Sequence, residues 1–251
     1  MIFFAKSDRG RVREENQDSY GISESQGKYL LAVVCDGMGG AAGGKIAAKL
    51  ASRTYLDKFS FFYSDRFDDD EEQIVTPFEI KRIFSNAVYA ANKAVYEKAS
   101  EEPELRGMGT TLTSALIIGQ VLYTANVGDS RVYVIRDGEA QRITKDNSYV
   151  QQLVDLGKIS EDEARTYPGK NLITKALGVG EEIEPDFTCT SLEAGDFILL
   201  CSDGLSNSVT DKELAEIICS EGDGEQKINY LIQYANIQGG EDNVTAVVIE
   251  Y

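Results

Sequence analysis

The chain has 251 residues, with 42 Asp and Glu against 25 Lys and Arg, a formal charge of -17. Such a surface repels nucleic acid and anionic membrane and attracts divalent cations. Histidine is absent, which removes Ser-His-Asp and Cys-His catalysis, the H-E-x-x-H zinc site and most zinc chemistry together.

The length suits a single domain, residues 1–251, that can bury a substantial core. Cys35, Cys189, Cys201 and Cys219 are scattered without a C-x-x-C pair, and the chain opens with no basic leader. No run approaches the ~20 apolar residues that span a bilayer. A reduced, cytoplasmic protein is expected, with Cys35 and Cys201 as small buried side chains inside apolar runs.

In chain order, the first expected strand is YLLAVVC, 29 to 35, and a glycine-rich turn then leads into a helix from about Ala41 to Phe59. The acidic tract DRFDDDEE, 65 to 72, reads as a solvated loop with no assigned function. Thr76 and Glu79 form a capping box with Pro77 in the first turn. Ile80, Ile83, Phe84, Ala87, Val88, Ala91 and Val95 then recur at helical spacing. Strands follow at TLTSALII (111 to 118), VLYTANV (121 to 127) and RVYVIR (131 to 136). Gly119 and Gln120 link the first two, and Asp137 and Gly138 turn the third into EAQRIT.

Ser160 with Glu163 and Thr210 with Glu213 repeat the capping box on either side of the strand DFILLC, 196 to 201. The second box opens a helix whose apolar face holds Leu214, Ile217 and Ile218. Residues 225 to 237 form another helix, stopped by Gly239 and Gly240, before the last strand VTAVVIE, 244 to 250. Links this short between strands predict antiparallel sheet, so the pattern favours an α+β layered domain over a doubly wound parallel sheet.

The stretch from Gly39 to Gly44 and Lys45 imitates a nucleotide-binding loop, G-x-x-x-x-G-K-[ST]. The residue after the lysine should carry a hydroxyl to help hold the nucleotide's magnesium, but here it is Ile46, and Asp36 stands at the strand end. That arrangement suits a metal better than a phosphate. Aspartate recurs at strand tips: Asp36 after LLAVVC, Asp129 after TANVG, Asp203 after ILLCS and Asp242 before VTAVVIE, with Asp18 close to an amino-terminal strand. If these tips converge, the crowded charges need cations, and carboxylate, carbonyl and water oxygens suit magnesium or manganese.

The motifs RVREENQDSY, VVCDGMGGAAGG, RGMGTTLTSALI, ANVGDSRVYVIRDG, CSDGLSNSV and GGEDNVTAVVI, in that order over nearly the whole chain, resemble the metal-dependent serine/threonine protein phosphatases of the type 2C class, the PPM family, and its bacterial branch in particular. The resemblance implies a four-layer αββα sandwich, two central antiparallel sheets flanked by helix pairs. It also implies two Mn2+ or Mg2+ ions. Asp36 bridges them, the Gly37 carbonyl binds one, Asp203 and Asp242 bind the other, and Asp18 acts through bound water. Asp129 with Asp203 matches the position of a third, weaker ion.

Asp36 and Asp18 carry catalysis in this picture, since a water between the ions is the nucleophile and no phosphoenzyme forms. Arg13, five positions before Asp18, matches the phosphate-binding arginine, whose guanidinium grips two phosphate oxygens. Arg131 is expected to be structural. Met38 follows the D-G where animal relatives have histidine and is expected to be packing, so a water takes the role of acid. Residues 144–177 match a mobile flap, with Asn147 and Tyr167 where relatives carry histidines, while Gln17 replaces an acid. The implied activity is hydrolysis of phosphoserine and phosphothreonine in proteins by a monomer that opposes a cognate Ser/Thr kinase. The alternative is a non-catalytic pseudophosphatase that binds phosphoproteins or a kinase. Lost metal ligands would mark it, and all are present.

Overall fold

The computed structural model describes residues 1–25, 29–66 and 76–251. From position 67 onward the acidic tract lies outside the described residues. Two five-stranded antiparallel sheets form the centre. One has the order β1 (Ile2–Asp8), β12 (Val244–Glu250), β11 (Phe197–Cys201), β8 (Arg131–Arg136) and β9 (Glu139–Arg142). The other runs β10 (Asp186–Ser191), β7 (Val121–Val127), β6 (Leu112–Ile118), β3 (Tyr29–Cys35) and β2 (Ser19–Ser25). A small pair, β4 (Gly37–Met38) with β5 (Gly109–Thr110), lies beside them.

The sheets face each other through Leu30, Ala32, Val34, Ala115 and Ile117 on one side and Val132, Val134, Leu200, Val247 and Ile249 on the other. The intervening residues of β3, namely Leu31, Val33 and Cys35, pack outward under the long helices α1 (Gly40–Arg66) and α2 (Pro77–Glu101). A strand buried on both faces has no polar alternation, which is why it reads as one apolar run. On the opposite side, Leu199, Cys201, Ala246 and Val248 pack under α6 (Asp211–Ile218) and α7 (Gly224–Ile237). The four layers are those of the αββα sandwich.

The capping boxes read at Thr76, Ser160 and Thr210 all form, and Asp223 with Gln226 adds another. The Asp137-Gly138 turn forms with φ of 52° and 80°, the pairing of positive angles that a tight hairpin requires. Helix α1 runs seven residues past the expected end at Phe59 because the buried stripe continues. Tyr29 meets Phe59 edge-on at 5.5 Å between ring centroids and Tyr63 at 4.8 Å. Between β9 and β10 the chain forms an arm with two short helices, α3 (Tyr149–Asp155) and α4 (Glu161–Thr166), and a single turn, α5 (Asp203–Ser206), follows β11. Among the described residues no helix is long and apolar enough to cross a membrane.

Candidate metal centre

Strand β3 ends by delivering Asp36 in a fixed pose. Its backbone N–H donates to Thr111 Oγ1 at 2.9 Å, and its carbonyl accepts from the Thr111 N–H at 2.9 Å and from Thr110 Oγ1 at 2.8 Å. With both backbone groups held, the carboxylate is left to face the cavity at the strand ends. Gly37 follows because there is no room for a side chain: a Cβ would overlap the Gly44 carbonyl. Gly44 and Lys45 therefore lie in the opening turns of α1, packed on Gly37, and not in a phosphate-binding loop. Gly204 has the same restriction, since a Cβ would strike the Asn243 carbonyl. This close approach brings the start of α5, with Asp203, against the residue that follows Asp242.

Asn243 staples the amino-terminal loop to this corner. Its Nδ2 donates to the carbonyls of Arg9 and Glu15 at 2.8 and 2.9 Å, and its Oδ1 accepts from the Gln17 N–H at 2.8 Å. Arg13, Asp36, Gly37, Asp129, Asp203 and Asp242 consequently line one cavity of about 460 Å³, with Thr111, Asn171 and Ile173 on its walls. Met38 lines it as well. Asp18 stands behind this cavity, 7% exposed, where its Oδ2 accepts from Ser202 Oγ at 2.8 Å and Thr245 Oγ1 at 2.7 Å. Arg13 lies at the exposed rim and donates to Asp242 Oδ2 at 2.7 Å. Arg131 turns inward instead, gripping Asp146 through Nε and Nη2 at 3.0 and 2.7 Å and Tyr133 OH at 3.0 Å. Gln17 donates from Nε2 to the Gly40 carbonyl at 2.8 Å.

Buried carboxylates without countercharge resist ionisation. Burial, reinforced by Asp203 and Asp242, pushes Asp18 up to about 7 against the pull of its two hydroxyl partners. Burial raises Asp36 well above the carboxylate range, with Asp18, Asp203, Asp129 and Asp242 adding repulsion. Asp129 is raised by burial and by Asp203, and Asp203 by burial and by Asp242. One oxygen each of Asp18 and Asp203 is buried without a hydrogen-bond partner. A bound cation would supply the countercharge that this set lacks.

The donors are all hard oxygens. Among the described residues no three or more His, Cys, Asp or Glu side chains are already gathered at a spacing that could hold a metal ion, so ion binding here requires the carboxylates to draw together around it. An open, oxygen-only mouth fits Mg2+ or Mn2+, which take one or two carboxylates each and keep several waters, better than it fits a closed structural site. The residues present fit the ions.

Several residues that shape the site carry no catalytic pattern in the sequence. Thr110 and Thr111 hold Asp36, Ser202 and Thr245 hold Asp18, and Asn243 organises the loop of Arg13. The one available signal is adjacency: Ser202 and Asn243 lie beside Asp203 and Asp242, Thr245 lies three residues after Asp242, and Thr110 ends the strand paired with Gly37 and Met38, with Thr111 next to it.

A family model described as protein phosphatase 2C matches residues 9–222. The chain belongs to the protein phosphatase 2C family. It is 36% identical to the serine/threonine phosphatase stp of Listeria innocua over 245 residues, which is 98% of this chain and 94% of that protein. It is 41% identical over 250 residues to the serine/threonine protein phosphatase PstP of Mycobacterium tuberculosis, covering 100% of this chain and 45% of the relative. Among solved structures, the serine/threonine phosphatase Stp1 of Staphylococcus aureus superposes with a TM-score of 0.88 at 34% identity, covering 99% of this chain and 94% of that one. The catalytic domain of PstP in complex with two manganese ions gives 0.78 at 40% identity, with 98% and 96% covered.

Proposed function

We propose that this chain is a single-domain, metal-dependent phosphatase that hydrolyses phosphoserine and phosphothreonine in proteins. The observation that carries the reading is the gathering of Asp36, Asp129, Asp203 and Asp242 around one cavity, with an unpartnered buried oxygen on Asp203 and the Arg13 guanidinium at the rim. Asp36, the Gly37 carbonyl, Asp203 and Asp242 are the residues that would hold two Mn2+ or Mg2+ ions, with Asp18 acting from behind through water. Asp129 with Asp203 would hold a third, weaker ion. When bound, the ions supply the Lewis acidity that neutralises phosphoryl charge and activates a water for in-line attack.

The chain's own part is orientation. Thr110 and Thr111 keep Asp36 from swinging away, and Arg13 presents a planar pair of donors to two phosphate oxygens. With no histidine in the chain, the departing seryl or threonyl oxygen takes its proton from water. The reading includes a monomer that opposes a Ser/Thr kinase. Four unpaired cysteines support a reducing, cytoplasmic setting.

The test is hydrolysis of p-nitrophenyl phosphate and of a phosphothreonine peptide with Mn2+ and with chelator. Turnover of both that depends on Mn2+ is expected. Equal rates in the two conditions, or phosphopeptide binding without turnover, would count against the reading.

A further inference from the structure

Asn147 sits at the root of the arm between β9 and β10 and bonds at once to the Gly128 turn, to the start of β10 and to the returning end of the arm. Its backbone N–H donates to the Gly128 carbonyl at 2.8 Å, and its Oδ1 accepts from the Gly128 N–H at 3.0 Å. Its Nδ2 donates to Asp186 Oδ2 at 2.6 Å, and Asp186 Oδ1 accepts from Lys175 Nζ at 2.9 Å. Its carbonyl accepts from the Thr174 N–H at 2.7 Å. The clasp continues outward, where the Tyr149 N–H donates to the Leu172 carbonyl at 2.8 Å and Ser148 bridges Ile173.

These bonds tie both ends of the arm to the turn that carries Asp129. Gly128, with φ of 107°, has no side chain, so its own contribution to anchoring that turn is made by its peptide groups. Asp129 lines the 460 Å³ cavity, and so do Asn171 and Ile173 from the returning half of the arm. The spacing between the Asp129 turn and the arm is therefore set at this root. There Asn147 acts beside Asn126 Nδ2, which donates to the Lys145 carbonyl, and Arg131, which holds Asp146, and Asn147 alone of the three also reaches the returning end. An amide is suited to this because it accepts from an N–H and donates to a carboxylate at once, which no carboxylate or hydrocarbon side chain can do.

We propose that Asn147 is a positioning residue that fixes the arm against the Asp129 turn, and so sets the fit of the peptide segment around the phosphorylated residue. This rests on the phosphatase reading. A small aryl phosphate needs only Asp36, Asp203, Asp242 and Arg13, none of which Asn147 contacts, whereas a phosphopeptide also needs the arm wall. Loss of the clamp therefore acts selectively on the larger substrate.

The experiment compares Asn147→Ala, Asn147→Asp and the exchange Asn147→Asp with Asp186→Asn. In the exchange, the new carboxylate still accepts from the Gly128 N–H, and the amide at 186 donates back to it. The single variants are expected to lower kcat/KM for a phosphothreonine peptide by roughly ten- to a hundredfold, and for p-nitrophenyl phosphate by no more than about threefold. The exchange should recover most of the peptide rate. Equal losses on both substrates, or no recovery in the exchange, would overturn the proposal. Amide hydrogen exchange gives a readout independent of turnover, with Gly128 and Thr174 expected to exchange about tenfold faster in Asn147→Ala. If the unaltered protein hydrolyses neither substrate, the phosphatase reading fails on its own. The exchange rates then decide the clamp, and unchanged protection at both amides refutes it.

Discussion

Strand β11 has a buried aspartate at each end, and the two have opposite fates. Asp196, before the strand, is 2% exposed and receives Arg136 Nε and Nη2 at 2.7 and 2.6 Å, with the Glu193 N–H at 2.8 Å. The Arg136 hydrogen bonds hold its carboxyl below the usual range. Asp203, after the strand, is 9% exposed, has the Asn207 amide at 3.1 Å on one oxygen and no partner on the other. Burial and Asp242 push its carboxyl up. Where the chain supplies its own countercharge, a buried carboxylate secures the fold. Where the chain withholds it, the same side chain waits for a ligand.

Exchanging each carboxylate for its amide tests this contrast most strongly. Asp203→Asn, like Asp36→Asn, is expected to lower kcat by at least about a thousandfold. Neither should unfold more readily in chelator, because each removes a crowded charge. Asp196→Asn should do the reverse, leaving kcat unchanged. Because Arg136 is partly exposed, the loss of stability is discounted to about 2 kcal/mol, roughly 4 to 8 °C in Tm for a domain of this size. Steady-state kinetics and thermal unfolding of the same samples measure both.

The two ends also predict opposite responses to pH. A carboxyl lowered on folding, as Asp196 is, stabilises above its unfolded value near ~3.9 and loses that contribution as pH falls through its folded value. Asp18 is raised to about 7, so its contribution is complete below ~3.9 and is lost as pH rises through about 7. In chelator, Tm should fall between pH 5 and 8, and the fall should be shallower in Asp18→Asn. Urea unfolding across that range checks the sign. The smallest effect belongs to a helix cap that contacts neither aspartate. Thr210→Ala removes the box in which Thr210 Oγ1 accepts from the Glu213 N–H and Glu213 accepts from the Thr210 N–H, at a cost of about 1 kcal/mol with unchanged turnover.

Interior strands are readable in the sequence, whereas of the four edge strands only β9 is, through the Asp137-Gly138 turn that leads into it. YLLAVVC, VLYTANV and VTAVVIE are interior and mostly apolar, and they form over the expected residues. β1, β2 and β10 are sheet edges, with polar or half-exposed residues such as SYGISES and DFTCTS, so hydrophobic periodicity has nothing to detect. Helix α3 was missed although Ser148 caps the Gln151 N–H, a spacing visible in the chain. In the site, aspartates beside glycines at strand tips pointed to one mouth. The threonines and serines that aim them belong to ordinary strand sequence, and their role depends on pairing between distant segments.

The most direct test of the central claim is a Mn2+ titration of the unaltered protein and of Asp203→Asn at neutral pH, followed by calorimetry and by thermal unfolding. At a hundredfold excess over Kd each site should add about 2.7 kcal/mol, so Tm of the unaltered protein should rise by at least about 5 °C, with a much smaller rise in the variant. No binding heat and no change in Tm at saturating Mn2+ in the unaltered protein would contradict the account.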